Sequence, residues 1–101
     1  MIRHIVWWTL RDSAEGFSAV ENGKRILAAS ATLKDIPGVR SVEVSVDIQP
    51  TTTAKAQLVL QSTHDSPEAL HEYAVHPIHL EFGKLIKAAC ENRQALDYRV
   101  D

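Results

Sequence analysis

The sequence predicts an α+β domain built on one antiparallel sheet, and three observations carry that prediction. Residues 42–48 and 96–100 alternate with the two-residue period of strands. Two other stretches repeat apolar residues at helical spacing behind recognisable start signals. A proline inside the second of them, Pro77, divides it into two helices.

In chain order, residues 2–10 mix β-branched and aromatic side chains and form the first strand. Ile2, His4, Val6, Trp8 and Leu10 share one face, and Arg3, Ile5, Trp7 and Thr9 the other. Trp7 and Trp8 therefore face opposite sides, one toward the core or a pocket and the other toward a second sheet. Asp12 and Glu15 have the spacing of a capping box, which opens a helix whose apolar residues are Phe17, Val20, Leu27 and Ala31. Gly23 weakens that helix, and Pro37-Gly38 stop it.

Val42, Val44, Val46 and Ile48 alternate with Glu43, Ser45 and Asp47 in the second strand, and Pro50 with the threonines at 51–53 makes a turn. A third strand follows, with Ala56, Leu58 and Leu60 on one face. Ser66-Pro67 starts a short helix carrying Leu70, Tyr73 and Ala74 inward. After His76-Pro77 a new helix runs to about residue 92, with Ile78, Phe82, Leu85, Ile86 and Ala89 as its apolar face. Leu96, Tyr98 and Val100 belong to the last strand.

The order is β-α-β-β-α-α-β, a ferredoxin-like split βαβ with a broken second helix and a four-stranded antiparallel sheet. A length of 101 residues fits one domain, residues 1–101. Helices cover one sheet face. The other is apolar and bare in a monomer, so two sheets are expected to stack as a dimeric α+β barrel.

Composition narrows the function classes. Eleven basic and thirteen acidic residues give a net charge of −2 without a basic stripe, which speaks against nucleic acid as a partner. No run approaches a membrane span, and the N-terminus lacks a signal peptide's apolar core and cleavage site. The single cysteine, Cys90, fits a reducing compartment, so the cytoplasm is expected. Glycine-rich phosphate loops, a nucleophile elbow and paired inward carboxylates are absent.

Two stretches carry a family resemblance. Ile2-Arg3-His4-Ile5-Val6 looks like the first strand of the Dabb (stress-responsive dimeric α/β-barrel) family. Tyr73-Ala-Val-His76-Pro77-Ile-His79, followed by Phe82-Gly83, is similar to that family's Y-x-x-H-P-x-H signature, and Leu96-Asp97-Tyr98 fits its last strand. The resemblance covers essentially the whole chain. It implies a dimeric barrel with a pocket between each protomer's sheet and helices. In the plant polyketide cyclases of the family, the last histidine of the motif is the general base and the tyrosine assists; these positions are His79 and Tyr73. Those cyclases also carry a pocket histidine in the third strand, a position read here as Leu58 beside Gln57, which departs from the pattern.

His79 shares a helix face with Phe82 and Ile86, so its imidazole points inward. There it serves either as a general base or as a buried histidine tying the broken helix to the sheet. Tyr73 would donate a hydrogen bond to a carbonyl as charge develops on it. His4, His76, Trp8 and Phe82 are the candidate ligand-binding residues, for a small apolar or carbonyl-containing molecule. His76 has a structural alternative, capping the helix after the break, and His4 a second one as a satisfied core histidine. Pro77 spoils the His76–His79 spacing and no carboxylate or cysteine set completes four ligands, so neither metal nor cofactor is expected. His64 and His71 read as exposed, and Cys90, placed on the last helix, as core and not nucleophile.

Three functions compete: a cofactor-free cyclase or isomerase, a non-catalytic stable dimer of the stress-protein or ligand-binding kind, and a cofactor-free monooxygenase or haem-degrading protein, supported by fold analogy alone.

Overall fold

A computed structural model describes all 101 residues. The main sheet has four antiparallel strands in the order β4-β5-β1-β6, with β1 (Ile2–Leu10) and β5 (Leu58–His64) in the centre and β4 (Val39–Ser45) and β6 (Cys90–Arg99) at the edges. Helices α1 (Ala19–Ala29), α2 (Pro67–Val75) and α3 (Pro77–Ala89) pack on one face, giving the expected ferredoxin-like fold. A 3-10 helix at Ser30–Asp35 prolongs α1. No helix is long and apolar enough to cross a membrane.

Alternation along β1 decides what enters the core. His4, Val6 and Trp8 are buried under the helices, while Ile5 and Trp7 stand half-buried on the uncovered face. Val6, Trp8, Ile26, Leu33, Leu58, Leu60, Tyr73, Phe82 and Ile86 interlock between the two layers.

The start of α1 corrects the sequence reading. Residues 12–15 do not cap a helix. Ser13–Ala14 (β2) and Phe17–Ser18 (β3) form a small hairpin around Glu15 and Gly16, whose φ values are 53° and 82°. Positive φ at both central residues is the turn that matches strand twist, and glycine takes it freely. The capping box sits at Ser18 and Glu21: the Glu21 amide donates to Ser18 Oγ at 3.2 Å, and the Ser18 amide donates to Glu21 Oε1 at 2.9 Å. The later start rotates the buried face. Val20 is 68% exposed and Ala31 is exposed, while Asn22, Gly23 and Ile26 turn inward. Phe17 lies outside the helix, with the Arg25 guanidinium 4.2 Å from its ring centre.

Smaller differences follow from pairing. The β4–β5 ladder runs out at Ser45↔Val59, so Val46 and Ile48 lie in the connection, as does Ala56. Ser66 caps α2 as expected, accepting from the Ala69 amide at 3.1 Å, but Ala74 faces solvent. Helix α3 ends at Ala89, three residues early, because Cys90 already pairs with Leu10 and opens β6. Cys90 is therefore a buried strand residue and not a helical one.

Candidate functional site

The local structure of the Tyr73–His79 segment follows from Pro77. His76 adopts an extended backbone between the two helices, and its Nδ1 accepts a hydrogen bond from the Ile78 amide at 3.1 Å. That is the helix-capping alternative for His76, which does not line the cavity described next. The break lets α3 leave at a new angle, so that Tyr73 from α2 and His79 from α3 meet with ring centres 4.6 Å apart.

A cavity of about 420 Å³ lies between sheet and helices. His4, Trp8, Tyr73, His79 and Phe82 line it, so five of the six proposed site residues come together. A larger hollow of about 550 Å³ between α1 and residues 46–57 has Lys24 as its only ionisable lining group.

Behind the cavity lining stands a polar layer that the sequence did not reveal. His64, expected to be an exposed loop residue, ends β5 and is 0% exposed. Central strand β5 is paired on both sides and covered by α2, which closes over it. Its ring centre is 4.7 Å from that of Tyr73, so the phenol stands between two imidazoles. The third strand thus does carry a histidine against the motif tyrosine, six residues beyond Leu58, the position where the resemblance placed it. Ser62, directly opposite His4 in the β1–β5 ladder, sets its hydroxyl 2.7 Å from His64 Nε2. On the other side of β1, Asp97 is opposite His4 and accepts a hydrogen bond from its Nδ1.

Burial sets the protonation states. Burial lowers the proton affinity of His79, with His4 and Arg93 acting in the same direction and the Ala74 backbone opposing them. His64 is lowered to about 4, chiefly by burial and next by His4, against the attraction of Asp97 and Asp65. The Tyr73 phenol is pushed up to about 12 by burial, which the nearby Ser62 hydroxyl only partly offsets without completing a hydrogen bond. Near neutrality the site therefore holds neutral imidazoles around a phenol that keeps its proton. Three buried atoms have no partner: His64 Nδ1, His79 Nδ1 and Tyr73 Oη. Groups this buried are ordinarily satisfied, and Tyr73 and His79 are both residues of the cavity lining. The Cys90 thiol, also at the wall, is pushed up to about 11 by burial and stays protonated. His, Cys, Asp and Glu side chains do not gather in any group of three that could hold a metal ion.

The family model of the stress responsive A/B barrel domain (Dabb) matches residues 2–100. No curated protein sequence matches the chain. Among solved structures, a dimeric ferredoxin-like protein of unknown function from Bacteroides fragilis is 28% identical at a TM-score of 0.76, covering 98% of this chain and 95% of that one. A Dabb family protein from Mesorhizobium loti is 26% identical at 0.77, with 98% and 95% covered. A hydroxynitrile lyase from Passiflora edulis shares the fold at 24% identity and 0.77, with 99% and 93% covered.

Proposed function

The chain belongs to the stress responsive A/B barrel (Dabb) family, and from that premise we propose that it is a homodimer whose sheet–helix cavity binds a small carbonyl-containing molecule and converts it without a cofactor. His79 is the general base and Tyr73 the hydrogen-bond donor to the carbonyl oxygen. His4, Trp8 and Phe82 shape and orient the ligand, and His76 shapes the site by capping α3.

The observation that carries this reading is the pair of unpartnered buried atoms, His79 Nδ1 and Tyr73 Oη, on adjoining rings in one cavity wall. Burial moves the two groups apart in the useful sense. A neutral imidazole takes a proton from an activated carbon or hydroxyl, and a phenol that holds its proton stabilises the negative charge that develops on oxygen. Enolisation followed by ring closure, or an isomerisation through the same enolate, suits this arrangement. The hydroxynitrile lyase of Passiflora edulis supports catalysis on this scaffold but does not assign the reaction. The dimer is supported by the dimeric Bacteroides fragilis relative and by the apolar side chains of the uncovered sheet face, Ile5, Trp7 and Leu96. A cytoplasmic location completes the reading, on the strength of the free buried Cys90 thiol.

The test is a thermal-shift panel of β-dicarbonyl compounds, acyl thioesters and aromatic acids on the wild type and His79→Ala, followed by turnover assays of the hits. A ligand at about 100 times its dissociation constant stabilises the fold by roughly 2.7 kcal/mol. A compound that stabilises and is consumed by the wild type, and is left unchanged by His79→Ala, is the expected result. Absence of any stabilising compound, with a variant that melts far below the wild type, moves the assignment to a non-catalytic stable dimer.

A further inference from the structure

The pairing of β6 with β1 is regular from Arg99 to Gln94 and then slips. Trp7 faces Gln94, but Thr9 faces Glu91, so β6 carries one residue more than β1 across this step. The surplus falls on Asn92 and Arg93, opposite Trp8. Asn92 has a φ of 58°, in the left-handed region, and its amide donates to Thr9 Oγ1 at 2.8 Å, which ties the bulge to β1. Bulges bend a strand and re-aim its side chains. Here four consecutive residues, Cys90, Glu91, Asn92 and Arg93, all reach the cavity, where regular alternation would present only every second one.

The bulge gives the cavity a charged mouth. Arg11, Lys87 and Arg93 line it, all exposed, together with one carboxylate, Glu91. Arg11 is paired with Glu91 at 3.1 Å, whereas Lys87 and Arg93 belong to no ion pair. Positive charge is thus gathered here in a chain whose net charge is −2. It reaches inward, since the charge of Arg93 is felt at His79, where it disfavours the imidazolium. Behind the cations the walls are apolar, through Val6, Trp8 and Phe82. At the buried end Tyr73, 1% exposed, presents its unpartnered hydroxyl.

We propose that the cavity takes an amphipathic carboxylate. Lys87 and Arg93 hold the carboxylate head at the mouth, the apolar body lies against Trp8 and Phe82, and an inner oxygen reaches Tyr73. This rests on the reading of the cavity as a small-molecule site and adds the charge class of its ligand. A planar carboxylate matches the guanidinium fork of Arg93, and the Lys87 ammonium supplies a second point of attraction. A neutral ligand leaves both cations without a counter-charge.

The experiment is isothermal titration of the wild type, the Lys87→Gln/Arg93→Gln double variant and Tyr73→Phe with 2-naphthoate and with its methyl ester. At low ionic strength the wild type is expected to bind the acid roughly tenfold more tightly than the ester, the range of charge-assisted contacts at a partly exposed site. That preference shrinks as salt rises to 0.15 M, where the screening length falls to about 8 Å. The double variant is expected to bind both compounds alike, at the affinity of the ester. Equal binding of acid and ester by the wild type, or an acid preference that survives in the double variant, overturns the proposal. Ester binding weakened by Tyr73→Phe would then leave the small-molecule reading standing. Failure of the wild type to bind either compound overturns both.

Discussion

The ring of Tyr73 lies 4.6 Å from that of His79 and 4.7 Å from that of His64, tilted by 57° and 56°. The phenol is thereby fixed by flat imidazole surfaces, while its hydroxyl is held by no hydrogen bond. Position and bonding are separated in this residue: the ring is part of the core, and the oxygen has no hydrogen-bond partner.

Tyr73→Phe is therefore expected to leave stability unchanged or raise it by up to about 1 kcal/mol, because an unsatisfied buried hydroxyl is removed and the ring packing stays. Tyr73→Ala is expected to cost about 3–5 kcal/mol through the cavity it opens. Ligand stabilisation in the thermal-shift panel should be lost in Tyr73→Phe all the same. Urea unfolding of the two variants checks the first pair of expectations, and a Tyr73→Phe protein destabilised by more than 1 kcal/mol would show that the hydroxyl is bonded after all.

His64 predicts a pH dependence of stability. Its folded-state pKa of about 4 lies below the ordinary 6.5, so the unfolded chain binds the proton first. The stability contributed by the neutral buried ring is complete above pH 6.5 and is lost as pH falls toward 4. His79 is shifted in the same direction and adds to the slope. Melting temperatures measured across pH 4 to 7 should fall toward the acid end, and the fall should be shallower in His64→Gln. A variant profile parallel to the wild type would mean that His64 is not the titrating group.

The same residue shows where the sequence stopped being readable. The four strands, the Ser66-Pro67 helix start and the His76-Pro77 break announce themselves through period and proline chemistry, and the structure places them near the expected residues. His64 precedes Asp65-Ser66-Pro67 and so has the composition of a loop; only the pairing of β5 on both sides buries it. Asp97 likewise becomes a partner of His4 through the β1–β6 register, a long-range relation that no local pattern encodes. Asp12–Glu15 and Ser18–Glu21 both have capping-box spacing, so spacing alone does not locate the start of α1. The positive φ of Glu15 and Gly16 decides between them. That five of the six candidate residues line one cavity follows from motif spacing and strand alternation, which are local; the bulge at Asn92 and Arg93 has no local signature.

Gly23 tests how closely α1 must approach the sheet. A Cβ there would come 3.3 Å from Cγ1 of Val46, which lies beyond the end of β4 and is partly exposed. The end of a side chain in a connection can give by a few tenths of an ångström. Gly23→Ala is therefore expected to stabilise the protein, by up to about 1 kcal/mol from helix propensity. A melting temperature lowered by the alanine would show that Val46 is held rigidly against the helix.

The uncovered sheet face tests the assembly. Leu96, 52% exposed, stands beside Ile5 in the β1–β6 register, and Trp7 is two residues further along the same face. A single layer of helices leaves these side chains in water unless a second sheet covers them. Leu96→Arg places a charge on that face, where an unpaired charge buried by a second sheet is strongly unfavourable. The wild type is expected to sediment as a dimer and to melt at a temperature that rises with protein concentration. The variant should sediment as a monomer that melts lower and independently of concentration, while the Tyr73–His79 pair, on the opposite side of the sheet, keeps its geometry. A variant that stays dimeric would place the interface elsewhere, and a wild type that is monomeric at all concentrations would remove the dimer from the functional reading.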